Sequence, residues 1–241
     1  MRRINKRSEP SELGEWRASA QADPNQAGIN FGYDALRQNT ATITAVTVAL
    51  IAEQGALCAY TGRRIAPEQT HIEHITPQFH CLRGEDVDYT NLVACWPAPN
   101  HPSEPTYGAR RKGSWPAPNQ RALFVSPINP GCEERFRFNL KGEISAASTT
   151  DTAAQETIRQ LNLGDAELTR LRKASIVGAL SPRPPQKLGI AETKKLLREL
   201  ERATSELNNG SNVRLSPYCF AIRQAMELHL KRLAAIQKQG K

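Results

Sequence analysis

Aromatic residues make up only 6% of this 241-residue chain. Leu, Ile, Val and Ala must therefore supply most of any core, within a hydrophobic content of 39%. No apolar run approaches the roughly 20 residues needed to cross a bilayer. The strongest, Ile43 to Ile51, is short and carries threonines, so no membrane partner is expected. The N-terminus is charged and no apolar segment follows it, which predicts no secretory leader. Cysteines at 58, 81, 95, 132 and 219 are odd in number and irregularly spaced. That pattern speaks against a disulfide framework and for a reduced, cytoplasmic setting. No internal repeat is found.

Positive charge is abundant. Lys and Arg number 32 against 24 Asp and Glu, a net charge of +8. Phosphate neutralisation supplies most non-specific nucleic-acid affinity, so the surplus tilts the expected partner towards nucleic acid. Basic pairs and runs at Arg2-Arg3, Lys6-Arg7, Arg63-Arg64 and Arg110-Arg111-Lys112 add to that tilt.

Three textures follow one another, and 241 residues suffice for a small catalytic module inside a helical frame. Residues 1–56 read as a helical segment. Ser11 opens a short helix with Leu13, Trp16 and Ala20, broken at Asp23-Pro24-Asn25. The spacing of Leu36, Ile43, Val46 and Leu50 predicts one amphipathic helix from Tyr33 to Gln54, stopped at Gly55. Residues 57–120 hold eight prolines, four of the five histidines and three of the five cysteines. Such proline density forbids long regular elements, leaving short strands at 57–60, 69–74 and 91–95 in a loop-rich insertion. Residues 121–241 read as a second helical region after a strand at Phe136–Leu140. Thr152 with Gln155 forms a capping box, Asp165 caps a helix to Leu180, and helices at 190–208 and 217–238 complete the chain. The expected architecture is α+β: mostly helical, with a small β-hairpin core.

The chemistry is concentrated in Thr70-His71-Ile72-Glu73-His74-Ile75. An adjacent carboxylate and imidazole can set a metal ligand beside a general base. Phosphodiester hydrolysis needs a nucleophile, a charge sink at phosphorus and help for the leaving oxygen. A carboxylate-held cation supplies the last two, and a neutral imidazole takes the proton from water. Successive strand residues face opposite ways, so a bulge at the strand end is expected, to let Glu73 and His74 serve one site. Asn91, seventeen positions on, can hydrogen-bond the loop backbone and hold His74 in one tautomer. Arg110, Arg111 and Lys112 suit phosphate contact. Taken singly, His71 is more often structural, Asn91 a turn residue and a Glu-His pair accidental. Carboxylate-His, then Asn, then a basic turn is nevertheless the order of an HNH (ββα-metal) nuclease.

The same residues resemble the HNH proteins of Septu anti-phage systems, PtuB, and their retron-associated relatives. Met1 to Lys6 with Glu9-Pro10, Leu13 and Trp16 is similar to that family's opening. Cys58-Ala59-Tyr60 with Arg63-Arg64-Ile65, Thr70 to His74, Tyr89 to Leu92 with Cys95, and Pro130 to Glu133 with Phe136 resemble later segments. The resemblance implies a central ββα-metal core and a divalent metal, Mg or Mn, bound by Glu73. It further implies that His74 is the general base and that Asn91 steadies the loop. It also implies a partner, a PtuA-type ABC/SMC-like ATPase, controlling a nuclease that attacks phage or host nucleic acid, DNA sooner than RNA.

Two departures stand out. Thr61 and Tyr107 occupy positions where the family commonly has cysteine, leaving Cys58 and Cys95, too few for a closed tetrahedral zinc site. A structural zinc is therefore not expected, with Tyr60, Trp96, Tyr107 and Trp115 available to fill the space. The helix-borne metal ligand falls at Ala109, and His101 from the lengthened loop is the chosen substitute. Nucleic-acid contacts are expected from His71, Arg63, Arg64, Arg110, Arg111 and Lys112. Two other functions compete with cleavage: a degenerate HNH scaffold that binds nucleic acid or the ATPase, and a zinc-ribbon-like adaptor.

Overall fold

A computed structural model of the chain describes residues 1–22, 31–102 and 105–239. It is α+β, roughly half helical, with two small antiparallel sheets. No helix among the described residues is long and apolar enough to cross a membrane.

Helix α1 (Ser11–Ala22) packs on α3 (Thr40–Glu53). The single helix expected from 33 to 54 is instead two, α2 (Tyr33–Leu36) and α3. Asn39 separates them because its side chain accepts a hydrogen bond from the Thr42 amide at 3.1 Å, an N-cap that starts a new helix. The break expected at Asp23-Pro24-Asn25 lies outside the described residues. Val46 and Leu50 of α3 are wholly buried, and α3 lies against strand β2 (Leu92–Cys95). Burying each such side chain contributes about 2 kcal/mol.

Strand β1 (His71–His74) pairs with β2, and the one-turn helix α4 (Ala109–Lys112) follows. The strand expected at 57–60 is reduced to one bridge between Leu57 and Arg64, because the chain turns back at Gly62, whose φ of +74° favours glycine. A Cβ at Gly62 would also lie 2.4 Å from the Phe220 ring.

Beyond this, β3 (Phe136–Phe138) pairs with β4 (Ile144–Ala146). Four helices complete the chain: α5 (Thr152–Gln160), α6 (Ala166–Leu180), α7 (Ile190–Asn208) and α8 (Cys219–Gln239). Asp165 caps α6 as expected, accepting from the Glu167 and Leu168 amides. The cap of α5 is Asp151 rather than Thr152, since a carboxylate one residue earlier reaches the Ala154 amide at 2.9 Å. Residues from all three textures, Met1 to Met226, belong to one apolar core.

Most of the N-terminal basic residues are tied to the body of the fold rather than forming a free arm. Arg2 is buried and donates to Asn208. Lys6 pairs with buried Glu53 and donates to the Leu92 carbonyl at 3.0 Å, fastening the N-terminal segment to β2. Arg7 holds the Leu207 and Ser211 carbonyls. Much of the apparent cationic surface is thus spent on internal fastening.

Candidate functional site

The pairing of β1 with β2 runs His71↔Cys95, Ile72↔Ala94, Glu73↔Val93 and His74↔Leu92. Gln54 extends the pairing at the far edge of β2, accepting from the Ala94 amide at 2.7 Å and donating to the Ala94 and Leu57 carbonyls at 2.8 Å. The ladder is regular, so side chains alternate: His71 and Glu73 on one face, Ile72 and His74 on the other. The bulge expected at the end of β1 is not formed. Pairing continues past His74, with the Ile75 amide donating to the Asn91 carbonyl at 2.8 Å.

On the first face the Glu73 carboxylate is flanked by an ammonium and an imidazole. Lys112 Nζ donates to Glu73 Oε1 at 2.9 Å and to the His74 carbonyl at 2.8 Å. His71 Nε2 lies 3.7 Å from Glu73 Oε2, while its Nδ1 faces the Pro97 carbonyl. Burial works against the charged forms of both His71 and Glu73. Their mutual attraction at 3.7 Å, together with Lys112 at the carboxylate, outweighs it: the His71 pKa is raised and the Glu73 pKa lowered.

On the second face His74 is buried, and its Nε2 meets the Asp86 carbonyl at 2.8 Å. A carbonyl only accepts, so Nε2 carries the proton and Nδ1 keeps its lone pair. Nδ1 has no hydrogen-bond partner among the described residues. Burial lowers the His74 pKa, only partly offset by the Asp86 carbonyl, and the Tyr33 ring stands edge-on at 4.5 Å. Asn91 holds the loop that brings Asp86 here. Its side chain accepts from the Thr76 amide at 2.7 Å and donates to the Thr76 and Glu85 carbonyls at 3.2 and 3.0 Å.

Tyr33 also lines a cleft of about 340 Å³ whose walls include Arg37, Thr70, His71 and Arg110. Arg110 and Arg111 are exposed, Arg110 donating to the Pro99 carbonyl at 2.7 Å. The other expected phosphate contacts are engaged internally. Arg64 donates to the Gly55, Ala56 and Leu215 carbonyls. Arg63 lies over the Trp96 ring at 3.9 Å and donates to the Tyr107 hydroxyl at 3.1 Å. Lys112, expected at the surface, has a fully buried side chain because it shares the inward face of α4 with Ala109, three residues before it.

Cys58 and Cys95 are buried, and the Trp96 amide donates to Cys58 Sγ at 3.4 Å. Burial opposes the Cys58 thiolate, but hydrogen bonds from Cys95, Thr61 and the Trp96 amide win and bring its pKa down to about 5. Burial and the neighbouring Cys58 push Cys95 well up. Where two further thiols would complete a tetrahedral set stand Thr61 and Tyr107. Tyr107 stacks on Trp96 at 5.9 Å, and a Cβ at Gly108 would lie 3.0 Å from the Thr61 methyl. Side-chain packing occupies this space, and two thiols do not fit a closed zinc site.

A divalent ion at Glu73 fares no better. One carboxylate oxygen holds the Lys112 ammonium and the other faces the His71 ring, Ala109 offers only a methyl, and His101 stands edge-on to Trp96 at 5.1 Å. Among the described residues no group of three His, Cys, Asp or Glu side chains is placed to hold a metal. As arranged, these residues do not fit the ion.

No protein-family model matches the chain, and no curated protein matches it. Three features of the site escape sequence reading: Gln54 as a strand-edge clamp, the Asp86 carbonyl as partner of His74, and Lys112 as partner of Glu73. Only the last had a signal, the three-residue spacing from Ala109.

Proposed function

We propose that this chain is the HNH-type nuclease component of an ATPase-coupled anti-phage defence complex, hydrolysing phosphodiesters of phage or host nucleic acid. The order β1, β2, α4 supports a ββα core, and the resemblance to PtuB proteins supplies the ATPase partner. One observation carries the chemistry: His74 is a neutral imidazole, its Nε2–H fixed on the Asp86 carbonyl and its Nδ1 lone pair unspent. That is the state a general base needs to take a proton from water at neutral pH.

Asn91 is a positioning residue in this reading. It ties Thr76 to Glu85, so Asp86 presents its carbonyl to His74. The phosphate lies in the neighbouring cleft, where Arg37 and Arg110 supply positive charge and His71 forms part of the wall. A divalent ion, where bound, supplies Lewis acidity and leaving-group stabilisation. No step is routed through one here, because the donor set around Glu73 does not fit it.

The test is cleavage of supercoiled plasmid and of structured RNA by the purified chain, alone and with its ATPase, in Mg²⁺, Mn²⁺ and EDTA. Nicking or cutting is expected, falling at least about 100-fold in His74→Ala. Cutting that survives that substitution would exclude the mechanism. A second reading is favoured by the engaged Glu73 carboxylate: a scaffold that binds nucleic acid or the ATPase without cleaving. It predicts salt-sensitive binding with no cleavage under any cation.

A further inference from the structure

We propose that Lys112 is the resident cation of the Glu73 site, its ammonium standing where a divalent metal would stand, so that the folded protein excludes Mg²⁺ and Mn²⁺ from that carboxylate. The inference rests on the nuclease reading of the β1–β2–α4 unit. Three observations converge on it.

The first is geometric. The Lys112 ammonium touches Glu73 Oε1 at 2.9 Å and the His74 carbonyl oxygen at 2.8 Å, and its side chain is fully buried. Two oxygen donors, one anionic, are the partners a hard cation chooses. The second is the other half of the carboxylate. Oε2 faces His71 Nε2 at 3.7 Å, and His71 is itself held by the Pro97 carbonyl. Each oxygen of Glu73 thus has a side-chain nitrogen beside it. The third is the helix. Ala109 and Lys112 share the inward face of α4, so the helical turn that delivers the ammonium places beside it only a methyl, with no other charged group of α4 facing Glu73.

Charge balance makes the arrangement self-consistent. A half-buried carboxylate with one hydrogen-bonded ammonium is neutral as a pair. Adding a dication at Oε1 would set like charges within a few ångströms in a poorly screened site. Metal entry would therefore require the ammonium to leave.

Mn²⁺ titration of the chelator-treated full chain, followed by the electron paramagnetic resonance signal of the free aquo ion, tests this directly. Wild type and Glu73→Gln are expected to leave the signal equally undiminished at about 1 mM Mn²⁺. Lys112→Ala, folded by circular dichroism, is expected to take up one equivalent that Lys112→Ala/Glu73→Gln does not. Uptake by wild type that Glu73→Gln lacks overturns the proposal, as does a folded Lys112→Ala that takes up none. Should Lys112→Ala not fold, the ammonium resonance of wild-type Lys112 decides: it stays sharp in Mn²⁺ if the proposal holds and broadens away if it does not. Failure of the nuclease reading registers separately, as absence of cleavage under every cation.

Discussion

The two faces of strand β1 carry the same kind of side chain to opposite ends. On one face His71 lies between the Pro97 carbonyl and Glu73, and Lys112 closes the other side of the carboxylate. Every polar atom there has a partner, and the imidazole is pushed towards its charged form. On the other face His74 has one nitrogen fixed by a backbone carbonyl and is pushed towards neutrality. Two histidines three residues apart, each on a backbone carbonyl and each opposed by burial, thus differ because only His71 has a carboxylate beside it. In the proposed nuclease the first face is architecture, and the fixed imidazole with a spare lone pair is the proton acceptor.

The largest effect is expected from breaking the saturated face. Lys112→Met leaves Glu73 without its ammonium and should cost about 3 kcal/mol in urea denaturation, since removing one partner strands a desolvated charge. Adding Glu73→Gln should recover most of that loss. Additive losses would show that the pair is not coupled as described.

Asn91→Ala acts on the other face. It leaves the Thr76 amide and the Glu85 carbonyl without their side-chain partner, at about 2 kcal/mol. Because the loop then no longer holds Asp86 against His74, cleavage should fall further than stability explains. Assays on the fraction still folded separate the two. Activity tracking stability alone would remove Asn91 from the site.

A smaller, pH-dependent difference follows from the shifts. A raised His71 pKa gives stability that is complete below the ordinary histidine value of about 6.5 and lost as pH rises through the folded value. A lowered Glu73 pKa gives stability present above the ordinary carboxylate value and lost as pH falls through the folded value. The first face therefore contributes most between those limits. In Lys112→Met/Glu73→Gln the plot of midpoint against pH should flatten at both ends. An unchanged plot would place the titrating groups elsewhere.

The smallest effect is expected at Arg111, exposed on α4. Arg111→Ala should leave stability within about 0.5 kcal/mol and lower the salt slope of nucleic-acid binding by about 1. A slope equal to wild type would take α4 out of the interface.

Most helices were legible because their caps are local: Asp165 before α6 and the leucine spacing of α7 need no tertiary information. The split at Asn39 carried its own signal, an N-cap side chain, but the hydrophobic period ran across it. The β1–β2 strands were legible from Thr-His-Ile-Glu-His and from the apolar run after Asn91. The expected bulge was not, because pairing register is a property of both strands together. Arg64 and Lys112 read as surface cations since a run of basic residues hides which one points inward. The Asp86 carbonyl left no trace, since backbone atoms are the same in every residue.

Nitrogen-15 NMR of the histidine rings at neutral pH probes the contrast between the faces most directly. The account predicts His74 as a neutral Nε2–H tautomer, with His71 titrating above the ordinary histidine value and His74 below it. A protonated His74, or a neutral His74 carrying its hydrogen on Nδ1, would contradict it.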